Sequence, residues 1–231
     1  MNNAIFSFER PKNEPILSYK SCSPERIKLE KELENLASTV TEIPLIIGGK
    51  EIRTGVTENV RMPHNHSHIL AKFHLASEKE VNMAIDAALA ARHQWEQTSW
   101  IDRVSVTLKI AELIATKYRP LINAATMLGQ SKNAYQAEID SACEVIDFLR
   151  FNAYFASQIY NEQPISENSH LNRTEYRPLE GFVFTVSPFN FTAIASNLNL
   201  SPVLMGNTVV WKPATTSLLS NYILMKIFKE A

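Results

Sequence analysis

Apolar positions recur along this chain in three rhythms, a helical period of about 3.6 residues, an alternation of two, and unbroken runs, and each asks for a different backbone. Residues 1–40 are mostly polar. Within them Pro24 to Leu36 is helical in pattern, with Ile27, Leu29, Leu33 and Leu36 giving a loose apolar face. Pro44 to Ile47 and Lys50 to Ile52 flank Gly48-Gly49, and the two glycines supply the positive φ angles of a tight hairpin turn. Ser77 followed by Glu80 is a capping-box signature, opening a helix whose Val81, Ala84, Ile85, Ala88, Leu89, Arg92 and Trp95 keep the helical period. A second helix is predicted from Ser99 to Tyr118, stopping before Pro120, and a third from Leu121 to Leu128, ended by Gly129. Asn133 to Ile159 reads as one long helix with Ala142, Val145, Ile146, Leu149 and Ala153 inward. A polar loop (Asn161 to His170), an alternating polar strand (Leu171 to Arg177) and a last helix (Thr216 to Lys229) complete the pattern outside one region.

That region carries most of the functional information. Gly181 to Val186 is a continuous apolar, β-branched and aromatic run, the pattern of a parallel strand buried on both faces, and Pro188 stops it. Phe191 to Met205 places Phe191, Ile194, Ala195, Leu198 and Pro202 at helical spacing. Gly206-Asn207 then ends the helix, and Thr208 to Trp211 forms a second apolar strand. A strand-helix-strand unit makes the fold class α/β. In open α/β sheets ligands bind outside the carboxyl ends of the strands, so Ser187 to Asn190 and Lys212 fall where a ligand would sit.

Composition narrows the partner. The 231 residues, 45% hydrophobic and 20% charged with a formal charge of −1, describe an ordinary globular chain of one or two domains with no electrostatic case for nucleic acid or an anionic membrane. A small-molecule ligand is the better default. The longest apolar stretch is broken by Pro188, Asn190, Asn197, Asn199 and Pro202, so no spanning helix is predicted. The opening residues have neither a signal-peptide pattern nor an Arg-rich, acid-poor one, which points to a cytoplasmic location. None of the six glycines builds a G-x-G-x-x-G or P-loop cradle. His64, His66 and His68 alternate and would share a strand face, but no carboxylate ligand lies nearby and a metal site is not expected. Cys22 and Cys143 form no disulfide framework, and both are expected to be buried small side chains.

Two polar residues stand out before any resemblance is considered. Asn190, in a Pro-Phe-Asn-Phe turn, reads as a turn-former bonding its own backbone. Glu144 shares a helix face with Asp140 and Asp147, where like charges repel, and the simple reading is a solvated acidic stripe.

Ser187-Pro188-Phe189-Asn190-Phe191 followed by Gly206-Asn207-Thr208-Val209-Val210-Trp211-Lys212-Pro213 resembles the aldehyde dehydrogenase superfamily. Ile146 to Ala153, Gln163-Pro164-Ile165-Ser166 and Leu204 to Asn207 are similar to its Δ1-pyrroline-5-carboxylate dehydrogenases, which oxidise glutamate γ-semialdehyde to glutamate with NAD. Ser23 to Arg26 and Ala87 to Arg92 extend the likeness over nearly the whole chain, as the N-terminal portion of such an enzyme.

The resemblance implies a set of roles. Asn190 would donate its side-chain amide to the oxyanion formed when a cysteine thiolate attacks the aldehyde. Phe191 would pack against the aliphatic part of the substrate, a core role being the alternative. Glu144 would lie near the substrate ammonium. Thr185, Val186, Ser187 and Pro188 would line the path of NAD, and Lys212 would reach the hydroxyls of its adenosine ribose. Thr215 stands where many relatives have an acidic ribose-binding residue, which weakens the preference for NAD over NADP. The implied division is 1–160 for the N-terminal hairpin and helices, 161–179 for part of an oligomerisation ribbon, and 180–231 for the first strand-helix-strand-helix of a Rossmann-like cofactor sheet, in a homo-oligomer. The nucleophilic cysteine and general-base glutamate of the family are absent, so these residues alone are expected to be inactive. An aldehyde dehydrogenase of other substrate, or a non-catalytic binding module, are the rival readings.

Overall fold

The computed structural model describes residues 6–231. Residues 1–5, which contribute to the reading of the N-terminus, lie outside the described residues. Helix α1 (Pro24–Ser38) starts at Ser23, whose hydroxyl accepts the Arg26 N–H at 3.4 Å, with proline at the first helical position where its missing N–H goes unmissed. After β1 (Thr41–Ile43), strands β2 (Leu45–Ile47) and β3 (Lys50–Ile52) pair antiparallel through Gly48 and Gly49, at φ 56° and 75°. The double glycine makes the turn it implies. Strands β4 (Thr57–Met62) and β5 (Asn65–His74) have no counterpart in the sequence pattern: they form an antiparallel ladder to which β1 adds in parallel, giving the order β1-β5-β4. The outer end of β5 is polar and exposed, so the chain there lacks the apolar alternation that marks a half-buried strand.

Helix α2 (Glu78–Gln97) opens with the capping box, the Ser77 N–H donating to Glu80 at 2.9 Å. Helix α3 (Trp100–Leu113) does not stop at Tyr118. It runs through a wide π turn, Ile114–Tyr118, straight into α4 (Arg119–Gln130), where Pro120 is tolerated in the first turn because no intrahelical donor is needed there. Gly129 is not the end of that helix; Ser131, left-handed at φ 54°, is. The long helix predicted over Asn133 to Ile159 is continuous in course but is α5 (Ala134–Ala137), a second π turn (Glu138–Glu144) and α6 (Val145–Asn161). A π turn inserts an extra residue and rotates the helix beyond it. Here Glu138, Asp140, Ser141, Ala142 and Cys143 all end up buried.

Residues 171–177 join no ladder among the described residues, so the predicted strand is not formed; a strand needs a neighbour to bond. Strands β6 (Val183–Val186) and β7 (Val209–Lys212) pair in parallel, Val183 opposite Val209 and Val186 opposite Lys212, joined by α7 (Thr192–Leu204). A 3₁₀ turn (Thr215–Ser217) leads into α8 (Leu218–Glu230). The expected strand-helix-strand is present, with two corrections. Strand β6 is not buried on both faces: Thr185 is enclosed, while Phe184 is 60% and Val186 56% exposed, because no element covers their side of the pair. Helix α7 buries Thr192, Ala193, Ala195, Ser196, Asn199, Leu200 and Leu204, whereas Phe191, Ile194 and Leu198, apolar positions of the same helical spacing, are exposed. Small residues and Asn199, which accepts from the Thr185 hydroxyl, allow the close approach that larger apolar side chains would block. Cys22 also departs from expectation: it is exposed, left-handed at φ 62° in the turn before α1, with no core around it.

One apolar core, including Leu70, Ile110, Ile114, Ile122, Ile146, Leu149, Leu224 and Ile227, joins α3, α4, α6 and α8 to β5. A second, of Ile43, Val60, Ala71, Phe73 and Tyr222, seats α8 on the three-stranded sheet. No described helix is long and apolar enough to cross a membrane.

A polar knot runs through these layers. Glu138, fully buried, accepts from the Leu17 N–H (2.8 Å), the Tyr19 hydroxyl (2.7 Å) and Asn123 (2.8 Å), and pairs with the buried Arg119. Arg119 also pairs with Glu14 and donates to the Pro15 carbonyl at 2.7 Å, and Glu14 holds Arg150 at 2.6 Å. Residues 14–19 are thus strapped across the helices. Burial pushes the Glu138 carboxyl up, but Arg119, the Leu17 N–H and the Tyr19 hydroxyl outweigh it and hold the carboxyl below its usual range. A carboxyl depressed by folding contributes stability above the unfolded value of 4.5, and that contribution is lost as pH falls through the lower folded value. Removing one partner of a buried pair strands the other, so Arg119→Met is expected to destabilise the chain by about 3–5 kcal/mol at pH 7. In urea unfolding the gap between wild type and variant should narrow below pH 4.5. A pH-independent gap would show that lost packing, not the stranded charge, is responsible.

Candidate active site

The two parallel strands end together. The Ser187 N–H donates to the Lys212 carbonyl at 3.4 Å, carrying the ladder one step past β6, and the Ser187 hydroxyl accepts from the Trp211 indole at 3.0 Å. Five of the predicted residues meet at this rim, Val186, Ser187, Pro188, Lys212 and Thr215. Val186, Lys212 and Thr215 are exposed there, Pro188 is half-buried, and the Lys212 ammonium has no hydrogen-bond or ion-pair partner among the described residues. Thr185 differs: its side chain faces inward to Asn199, leaving only its backbone within reach of the open face.

From the rim, residues 188–191 lead into α7. That helix has no local cap, since its N-cap position is Phe191, and its first N–H groups need an acceptor from elsewhere. Asp140, brought inside by the second π turn, provides both oxygens, accepting Thr192 N–H at 3.0 Å and Ala193 N–H at 2.9 Å. Its charge also suits the positive end of the helix dipole. Lys132 joins the cluster, its ammonium 2.7 Å from Asp140, 2.7 Å from the Asn190 carbonyl and 4.4 Å from the centre of the Phe191 ring.

The Asn190 side chain is exposed and makes no hydrogen bond among the described residues, so it does not form the Asx turn of the simple reading. Its carboxamide is free to donate outward. Phe191 is 37% exposed and lies beneath an ammonium, outside the core of its reading as a packing residue.

Glu144 closes the second π turn. The acidic stripe is not a solvated one: Asp140 caps α7, and Asp147 accepts from the Asn13 amide and the Glu14 N–H, each at 2.7 Å. Half-buried Glu144 alone has no partner among the described residues. Burial first, then repulsion from Asp140, with a smaller push from Asp147, raises its carboxyl above the ordinary value against the pull of Lys132.

Cys143 is buried, 3.6 Å from Arg119, and its thiol is pushed up to about 12 by burial and by Glu138. It stays protonated at neutral pH and is no nucleophile. His64 lies just before β5 and bonds Ser131 at 2.9 Å, while His66 and His68 lie on the strand, and no group of three or more metal-ligating side chains occurs among the described residues. Gly206, left-handed at φ 94°, packs against the buried Arg103 guanidinium, while Asn207 accepts the Leu179 N–H at 2.8 Å and donates to the Pro202 carbonyl at 3.0 Å. The Gly-Asn pair is a turn staple, not a ligand contact.

Lys132 and the capping role of Asp140 escaped sequence reasoning. A signal existed: a helix starting after Phe191 without a Ser, Thr, Asp or Asn cap has orphan donors that something distant must satisfy.

A sequence profile of the aldehyde dehydrogenase family matches residues 53–231. The chain is 49% identical over 230 residues to a protein of Agaricus bisporus named delta-1-pyrroline-5-carboxylate dehydrogenase, covering 99% of this chain and 42% of that one. It is 46% identical over 219 residues to the human protein of that name, designated mitochondrial, covering 95% and 39%. Its fold superimposes on the Mycobacterium tuberculosis Δ-pyrroline-5-carboxylate dehydrogenase bound with NAD at a TM-score of 0.95, with 45% identity, covering 99% of this chain and 43% of that one. The chain therefore spans about two fifths of the length of these relatives.

An unpaired, half-buried carboxylate is a stability defect at neutral pH. For a carboxyl raised by folding, the ionised form is the disfavoured one, and the penalty disappears once the group is protonated in both states. Glu144→Gln is expected to raise the melting temperature on the order of 1 °C at pH 7, the difference vanishing below pH 4.5. Thermal melts across that range check it. A lowered melting temperature at pH 7 would mean Glu144 has a stabilising partner after all.

Proposed function

Because the chain belongs to the aldehyde dehydrogenase family, we propose that it supplies the oxyanion-donor and adenosine-side half of an NAD-dependent oxidation of glutamate γ-semialdehyde, the open form of Δ1-pyrroline-5-carboxylate, to glutamate. The observation that carries this reading is the unpaired Asn190 carboxamide at the mouth of two parallel strands, on a turn held at the Asn190 carbonyl by Lys132, the same lysine that acts electrostatically on the unpaired Glu144. The Asn190 amide donates to the oxygen of the aldehyde as a thiolate adds to its carbon, and a donor fixed beforehand stabilises that charge without reorganising. Glu144 accepts from the substrate ammonium, a bonded partner that it otherwise lacks. Phe191 lies against the aliphatic chain. The thiolate and the general base come from the part of the relatives that this chain does not span.

The rim suits a dinucleotide's ribose end. Lys212 offers three donors without a competing partner, and the Thr215 hydroxyl follows three residues on, so both would hold ribose hydroxyls, with the backbone of Thr185 to Pro188 alongside. Bound NAD supplies the hydride acceptor. The divisions 1–160, 161–179 and 180–231 belong to the same proposal, as does a homo-oligomer: Ile165, Leu171 and Leu179 in the middle segment are strongly exposed, which fits a ribbon covered by a second subunit. A cytoplasmic location belongs to the same proposal. Some relatives are named mitochondrial, and fractionation of the expressing cells separates the two.

Two substitutions in the full-length protein test the roles. Asn190→Ala should lower kcat about 10²- to 10³-fold with little change in NAD affinity. A near-normal kcat would leave Asn190 as an exposed turn residue only. Glu144→Gln should raise KM for glutamate γ-semialdehyde far more than for an aldehyde without the amino group, since only the former loses a charge-assisted contact. Equal effects on both aldehydes would remove Glu144 from substrate recognition.

A further inference from the structure

The Asn190 amide can be a preorganised donor only if the turn bearing it is held, and β6 and α7 do not hold it. The Ser187 N–H is the last ladder bond and the Phe191 carbonyl the first helical one, accepting from Ala195 at 3.4 Å. Between them, among the described residues, the backbone of residues 188–190 receives a single hydrogen bond, from Lys132 to the Asn190 carbonyl at 2.7 Å. The same ammonium lies over the ring of the next residue, Phe191. One side chain therefore touches both residues of the pair that the proposed reaction needs oriented.

Lys132 is itself fixed. Its neighbour Ser131 ends α4 in the left-handed conformation, and Asn133 caps α5, accepting the Gln136 N–H at 2.9 Å while its own N–H donates to Gln136 at 3.0 Å. The ammonium is anchored at 2.7 Å to Asp140, which is in turn held by two backbone N–H groups of α7. Those two donors satisfy Asp140 whether or not Lys132 is present, so the cap of α7 does not require the lysine. What requires it is the turn.

We propose that Lys132 is a positioning residue for catalysis, fixing the turn that bears the Asn190 carboxamide, and with it the Phe191 ring, by gripping the Asn190 carbonyl from an Asp140 anchor. It acts through Asn190, and so rests on the oxyanion reading above. Misplacing a catalytic group by about 1 Å can cost on the order of 10²-fold in rate, which sets the scale of the effect.

The test is a double-mutant cycle in the full-length protein, with glutamate γ-semialdehyde and NAD. Lys132→Met keeps the aliphatic stem and removes the charge and donors. It should lower kcat about 10- to 100-fold with KM for NAD unchanged within about twofold. Introduced into Asn190→Ala, it should lower kcat by less than about threefold, because the donor it positions is already gone. A near-normal kcat for Lys132→Met beside a crippled Asn190→Ala overturns this inference while leaving the oxyanion reading intact, and so does an equal loss in both backgrounds. A near-normal Asn190→Ala overturns both. Should Lys132→Met fail to fold, Lys132→Gln, uncharged but polar, carries the same comparison; failure of both to fold would make the lysine structural and end the proposal.

Discussion

The π turn over Glu138–Glu144 is the constraint on which the rest of the structure leans, because it turns two carboxylates into the interior where each must find cations or N–H donors. Glu138 finds Arg119, Tyr19, Asn123 and the Leu17 N–H, and in doing so pins residues 14–19 to the helices. Asp140 finds Lys132 and the start of α7. An unbroken α-helix would not keep both arrangements, since losing the extra residue rotates one carboxylate away from its donors. Buried pairs of this kind add little net stability relative to apolar packing, yet removing one member is severe, so they specify one arrangement of the chain more than they strengthen it.

The candidate site is the second consequence. Helix α7 begins at a phenylalanine and cannot cap itself, so its orientation depends on a carboxylate from another helix. Asp140 thereby sets where Asn190 and Phe191 leave the sheet, and its other contact, Lys132, closes on the turn between them. Glu144, at the far end of the same π turn, is left without a partner and with its carboxyl raised. In the proposed function this carboxylate is the one that the substrate ammonium would meet.

The open faces of β6 and α7 belong to the same logic. Phe184 and Val186 are exposed on one side of the strand pair, while the other side is sealed by Thr185, Asn199 and the small residues of α7, whose own Ile194 and Leu198 are exposed. Several large apolar side chains are thus left at the surface, and the packed side uses hydroxyls and amides. Apolar area of this extent needs cover in an assembled protein.

Local rules were legible in the chain. Gly48-Gly49 made a hairpin because only positive φ closes so short a turn, Ser77 with Glu80 started a helix because its first N–H groups have no other acceptor, and the two apolar runs around Gly206-Asn207 became parallel strands whose ends mark the rim. The positions of Asn190, Lys212 and Glu144 in the fold followed from the same pattern and from a family resemblance. Tertiary structure alone decided the π turns, which no period announces because they carry helical residues throughout, and the inner face of α7, where close packing favoured small side chains over the apolar stripe. It also decided the sheet built on β4 and β5 and the meeting of Lys132, Asp140 and Asn190, which lie up to 58 residues apart. Periodicity and capping act over a few residues and can be read from sequence; which buried charge meets which donor depends on how helices cross, and that is settled only when the chain is packed.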